Sequence, residues 1–329
     1  MYPCFTFCRI LGIFPYRISN STFEASKSCY IVSTIVICIF GVYGIIILYA
    51  IHISGTLQYA NTTGSLERHC YFILGSTGTI ITYILRGPRL LFLQNILEIS
   101  SKLPSESYKK LSRLIHVKDI FGFLTLLTVG LISNANMTLN SILVVPFAMY
   151  LSLLMFQMDM FYVNCVCVLK ICFKEINDNL AYVQKLVISD EPHLLRRIYH
   201  EQKNPFLLIK LKALKEQHLM VSDTVQMLNT VFSQQIMVTI VMSFAEITFS
   251  LYFYIVISME KEKVDFWYTY FILCLIHYTI KIVLIVWVCD SGKDQAVKIG
   301  ITVHDLLNNT SDKQIKDEVV KCNLICLFL

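Results

Sequence analysis

Asp159, Glu246, His277 and Lys281 are ionisable residues set in stretches of sequence that are otherwise apolar. A charge held at mid-span in a bilayer costs a few kcal/mol unless it is paired or hydrated, so such residues mark an ion pair, a proton path or a ligand contact. Glu246 lies about 15 residues from the inner end of its apolar run, and Lys281 about 8 from the inner end of the next. At roughly 1.5 Å rise per residue their α-carbons differ in depth by about 10 Å, a gap that two extended side chains largely close. The spacing predicts an intramembrane Glu246–Lys281 pair, a snorkelling Lys281, or a Glu246 that forms a polar pocket wall. His277, one turn from Lys281 on the same face, suits a packing hydrogen bond or a ligand contact equally well. Asp159, near the inner side of another run, reads as structural or interfacial.

Aromatic residues crowd the outer ends of the same two runs, with Tyr252, Phe253 and Tyr254 against Phe266, Trp267, Tyr268 and Tyr270. An interfacial aromatic belt explains this pattern. A pocket between helices needs the same chemistry, apolar walls with a few hydroxyls or an acid. The candidate ligand contacts are therefore Glu246, Tyr252, Trp267, Tyr268 and His277. No catalytic residue stands out: there is no phosphate-cradling glycine loop, no His-Glu-x-x-His and no Gly-x-Ser-x-Gly turn. The chain reads as a non-enzyme with no cofactor and no metal site.

Six apolar runs must position these residues: 29–51, 70–85, 120–132, 141–169, 231–257 and 266–289. Apolar residues make up 55% of the chain and charged residues 16%, too few to coat a soluble protein of 329 residues. Several runs reach the roughly 20 residues that cross a bilayer; 70–85 and 120–132 need flanking polar residues to do so. Of the 28 Lys and Arg, 24 fall in alternate segments: the amino-terminal arm, the second-to-third and fourth-to-fifth connections, and the tail. Positive charge stays cytoplasmic during insertion, so both ends are expected inside, opposite to rhodopsin-type receptors. The expected fold is an all-α polytopic helical bundle with six visible transmembrane helices. The net charge of +5 suits inner-leaflet lipid and calls for no nucleic acid. The first run reads as an uncleaved insertion signal, and the twelve cysteines, mostly inside or within runs, as reduced thiols.

Asn61-Thr62-Thr63 and Asn136-Met137-Thr138 fall in expected outside loops, which makes Asn61 and Asn136 glycosylation candidates. Asn20 and Asn308 fall inside and are expected bare. Before the fifth run, Leu207, Leu211, Leu214, His218, Val221, Val225, Leu228 and Phe232 step by four and three behind Pro205. This stripe predicts one long helix extending the fifth span into the cytoplasm, with His218 as a packing residue. Residues 293–307 are amphipathic, Asn308 and Asn309 break the pattern, and Ser311 with Gln314 resembles a capping box.

Three segments in this order resemble the insect gustatory receptors. Arg9-Ile10-Leu11-Gly12-Ile13-Phe14-Pro15-Tyr16 is similar to the family's opening Leu-Gly-x-x-Pro-Tyr. Leu214-x-x-Gln217-His218-x-x-x-Ser222-Asp223, followed by Leu228-Asn229-x-x-Phe232-Ser233-x-Gln235, resembles the approach to its fifth span. Cys289-Asp290 through Val303-His304-Asp305-Leu306-Leu307-Asn308 and Ile315-Lys316-Asp317-Glu318 resemble the segment after its sixth. The resemblance covers residues 1–318. It implies seven spans, a homo- or hetero-tetramer with other gustatory receptor subunits, and a plasma-membrane cation pore lined by the seventh span. A small-molecule tastant would open that pore from an outward-facing pocket in each subunit. The family's seventh-span signature, Thr-Tyr followed by Gln-Phe, is absent. The chain therefore reads as a receptor domain over 1–318 without its seventh span and an aberrant apolar tail over 319–329, which leaves both a conducting and a non-conducting form open. A six-span solute transporter, with Glu246 and Lys281 as a relay, and a G-protein-coupled receptor are the alternatives.

Overall fold

The computed structural model describes residues 2–19, 22–54, 62–134, 144–189, 205–260, 265–310 and 314–320. Among them the fold is a bundle of helices: α1 (Tyr2–Ile10), α2 (Lys27–His52), α3 (Thr62–Ile84), α4 (Arg86–Ser101), α5 (Ser105–Asn134), α6 (Val144–Ser189), α7 (Pro205–Glu260) and α8 (Asp265–Asn309). A last short helix covers 314–320. One strand pair, which the all-α reading did not foresee, joins β1 (Tyr16–Ser19) to β2 (Thr22–Ala25) antiparallel, with Tyr16 opposite Ala25.

Five of the described helices are long and apolar enough to cross a membrane: α2, α5, α6, α7 and α8. Helix α3 has 23 residues, but its first third carries Glu67, Arg68 and His69, which dilute its apolar character. Both short runs lie in longer helices: 70–85 falls in α3 save for its last residue, and 120–132 forms the second half of the 30-residue α5, so of the six expected spans the run in α3 is the one not among these five. Leu85 alone separates α3 from α4, where Pro88 bars the continuation of a straight helix.

The chain divides into two compact units. The first comprises Met1–Gln94, Lys110–Asn164 and Thr230–Val286. Its axis is α6, whose most apolar stretch is 89% buried, against 11–28% for the other four long helices. A helix apolar all round belongs in the centre, whereas its neighbours keep an outward apolar stripe for lipid. On α2 that stripe is Ile31, Ile35, Val42, Ile45 and Ile46, all more than half exposed. Helix α3 comes close to α6 through Gly75 and Gly78, where a methyl group would sit 2.9 Å from Leu151 and 2.6 Å from Met155. Small residues at such crossings are how helices associate in lipid.

The amino-terminal arm is built into this unit. Helix α1 ends in a left-handed glycine, Gly12 at φ +74°, with the amide of Ile13 returning to the carbonyl of Cys8 at 2.8 Å. That closure needs glycine and explains the Leu-Gly pair read in the sequence. It delivers Phe14 onto Phe161 at 4.9 Å, and Phe161 meets Phe232 at 5.5 Å. Arg86 and Arg89, read as loop charges, are buried instead. The Arg86 guanidinium lies 3.8 Å from the Tyr30 ring centre, and that of Arg89 donates to the Thr82 carbonyl at 2.9 Å.

The second unit comprises Asn95–Lys109, Cys165–Asn229 and Trp287–Leu329. Its core is the predicted α7 stripe, buried at Leu207, Leu211, Leu214, His218, Val221 and Leu228. Val225 is half-buried, and Thr224 takes the fully buried position beside it. Helix α6 also extends past its apolar run and buries Cys172, Phe173, Ile176, Leu180 and Val183 at the same four-and-three spacing. Val303 and Leu306 close the core from α8, which ends at Asn309 as its sequence suggested. Lys215 pairs with Glu318. Ser311 and residues 321–329 lie outside the described residues, as do Asn20, Asn61 and Asn136.

Candidate functional site

In the first unit, α3, α5, α6, α7 and α8 surround a cavity with about 770 Å³ of empty space, open solvent at its mouth included. Each helix contributes along one face. Glu67, Arg68 and Tyr71 come from α3, Leu126, Val129 and Gly130 from α5, and Val144, Val145, Ala148, Met149 and Ser152 from α6. Helix α7 adds Glu246, and α8 adds Tyr270, Cys274, His277 and Tyr278. The α8 residues recur at four, three and one, the spacing of a single helical stripe. The result is an apolar chamber with a few convergent polar groups, the chemistry of small-molecule sites.

Part of the polar lining is already committed. The Tyr71 hydroxyl donates to the Ala148 carbonyl at 2.8 Å and shares a 2.5 Å hydrogen bond with Ser152 Oγ. His277 Nδ1 is 3.5 Å from Thr125 Oγ1. Glu246 differs from both. Its side chain is 8% exposed, and among the described residues it makes no hydrogen bond and no ion pair.

The predicted Glu246–Lys281 pair is not formed. Lys281 Nζ lies 2.7 Å from Asp159 Oδ2, and Thr239 Oγ1 donates to Asp159 Oδ1 at 2.8 Å. The reason is depth. Thr239, at the level of Asp159, precedes Glu246 by seven residues of α7, about 10 Å along the axis and on the same face. The lysine reaches the acid at its own level. Asp159 takes the structural role its position suggested, fully buried and held from two helices.

Of the five candidate ligand contacts, Glu246 and His277 line the cavity; Tyr252, Trp267 and Tyr268 do not. Tyr252 is 46% exposed, lies about 120° around α7 from Glu246, and packs edge-on against Phe253 at 5.4 Å. Tyr268 meets Tyr254 at 5.7 Å, and Trp267 meets Tyr270 and Phe271, each at 6.0 Å. These three build the aromatic cluster that competed with the pocket reading. Glu67, Arg68, Tyr71, Ser152, Tyr270 and Tyr278 were missed. For the α8 pair the signal was present, because Tyr270, Cys274 and Tyr278 share the face of His277.

A family model for the 7tm chemosensory receptors matches residues 1–320. The chain belongs to that family. The receptor also resembles solved structures of the olfactory receptor OR5 from Machilis hrabei. The first match has a TM-score of 0.70 and 11% identity, covering 99% of this chain and 88% of the other. A second, of OR5 in complex with eugenol, has a TM-score of 0.67 and 10% identity with the same coverage. At such identities the likeness speaks for the fold, a receptor helical bundle. No curated protein matches the chain. The resemblance carried by Arg9–Tyr16, by Leu214–Gln235 and by the segments from Cys289 to Glu318 thus holds at the level of the family.

Proposed function

We propose that this receptor is a gustatory subunit of a ligand-gated cation channel in the plasma membrane, tetrameric with like or related subunits. A small-molecule tastant would bind in the α3–α8 cavity, with Glu246 and His277 among its contacts. The observation that carries this reading is the cavity itself, apolar-walled and holding a buried, uncommitted carboxylate, in a chain of the chemosensory receptor family. That OR5, which shares the fold, has been solved in complex with eugenol supports placing a small organic molecule within such a bundle. Binding would favour the open arrangement by its higher affinity for that state, since a ligand shifts an equilibrium only through differential affinity. The alternation of basic residues supports an amino terminus in the cytosol.

The test is voltage clamp on cells expressing the receptor, alone and with a second subunit of the family, during tastant application. The expected result is a cation current that survives block of G-protein signalling. A response abolished by that block would instead indicate a G-protein-coupled receptor, and solute uptake without a gated current a transporter. An amino-terminal epitope should be labelled only after permeabilisation; labelling on intact cells overturns the orientation.

A further inference from the structure

We propose that the cavity selects a small organic cation, a protonated amine on an apolar or aromatic body, and that Glu246 is the residue that holds its charge. This deepens the ligand-gated reading and rests on it. Glu246 is more than nine-tenths buried, faces the cavity and has no hydrogen-bond or ion-pair partner among the described residues. The lysine that sequence spacing offered as its partner is occupied by Asp159 at 2.7 Å. A carboxylate taken out of water without a counter-charge is strongly disfavoured, so a ligand that brings an ammonium gains a charge-assisted hydrogen bond there.

The rest of the wall has the same bias. Its charged residues are two acids, Glu67 and Glu246, against one base, Arg68, whose charge acts on both. An anion would face two acids with a single base between them, and a neutral ligand would bring Glu246 no counter-charge. Three tyrosines, Tyr71, Tyr270 and Tyr278, supply aromatic surface, which suits organic cations. Leu126 and the Val144–Val145 pair provide the apolar surface for the body of the molecule.

The test compares three probes of one shape, benzylamine, benzyl alcohol and benzoate, by isothermal titration on the full receptor in lipid nanodiscs at neutral pH. Benzylamine should bind at least about tenfold more tightly than benzyl alcohol, and benzoate most weakly. Glu246→Gln, close to isosteric, should weaken benzylamine at least about tenfold and leave benzyl alcohol within about twofold. Glu246→Asp should retain the preference for the amine, and thermal melts of both variants confirm the fold. Benzyl alcohol binding as tightly as benzylamine, or an unchanged benzylamine affinity in Glu246→Gln, overturns amine selection while the tastant-channel reading stands. Amine-selective binding with no evoked current does the reverse. Failure of all three probes to bind overturns amine selection and removes the cavity as the ligand site.

Discussion

Asp159 on α6 and Glu246 on α7 are buried acids in the same helical unit, two helical turns apart in depth, with opposite surroundings. Asp159 is covered by Lys281 at 2.7 Å and Thr239 at 2.8 Å and does not line the α3–α8 cavity. Glu246 opens on the cavity and, among the described residues, has neither kind of partner. Two helices repeat the arrangement. On α7, Thr239 and Glu246 share a face seven residues apart; on α8, Lys281 follows Tyr278 and His277 by three and four. One stripe on each helix thus serves the ion pair at one level and the cavity at the next. Charge in an apolar bundle is therefore ambiguous by itself. What separates structure from site is whether the fold supplies the counter-charge.

The contrast breaks first at Lys281. Lys281→Met leaves Asp159 buried with Thr239 alone, and stranding one member of a buried pair typically costs about 3–5 kcal/mol. Denaturant or thermal unfolding in nanodiscs should show that loss. Adding Asp159→Leu should recover most of it, because replacing both charges by apolar groups is often neutral. A Lys281→Met loss below about 1 kcal/mol would mean that the pair does not hold the bundle together.

Glu246→Leu should run the other way. With no partner among the described residues to abandon, replacing the carboxyl group by an apolar side chain should stabilise the receptor by about 1 kcal/mol. The same unfolding assay reads it. A loss comparable to that of Lys281→Met would show that Glu246 is a structural acid with a role like that of Asp159, and would erase the comparison.

The bundle was legible in the sequence because lipid imposes length and composition on each span independently of the others. The α7 stripe was legible because its four-and-three spacing is local to one helix. The equivalent extension of α6 carried the same signal in Cys172, Ile176, Leu180 and Val183, but lay just past an apolar run that appeared complete. The β1–β2 pair rests on four-residue strands, too short to show a period. The partner of Lys281 could not be read, although the depth count held: the expected gap of about 10 Å to Glu246 matches the seven residues of α7 between Thr239 and Glu246. The acid at the lysine's own level is Asp159 on α6, and nothing local to one helix says which side chain of a neighbour it faces. Which residues share a level is a property of packing between helices. The cavity depends on the same register, which is why Glu246 and His277 were found and the α3 and α6 contributions were not.

A third buried ionisable group sharpens the comparison with the smallest effect, because it gives up its charge. His218, outside the apolar runs, is 5% exposed on the α7 stripe with its ring 6.0 Å from that of Phe173. Burial lowers its pKa from the ordinary value near 6.5. The unfolded chain therefore takes up a proton near pH 6.5 while the folded chain stays neutral to lower pH. Stability then rises with pH across the window between the lowered value and 6.5, and is level above it. On acidification from pH 6.5 to 5.5 this single group can remove at most about 1 kcal/mol. His218→Phe keeps a ring on the stripe and removes the titration. The difference in unfolding free energy between the native receptor and this variant should be constant above pH 7. Below about pH 6.5 it should move against the native receptor, and other titrating groups cancel in the difference. Parallel stability curves down to pH 5 would mean that His218 titrates alike folded and unfolded. Burial alone would then not discharge a group in this helix, and the neutral histidine would drop out of the contrast between a compensated Asp159 and an uncompensated Glu246.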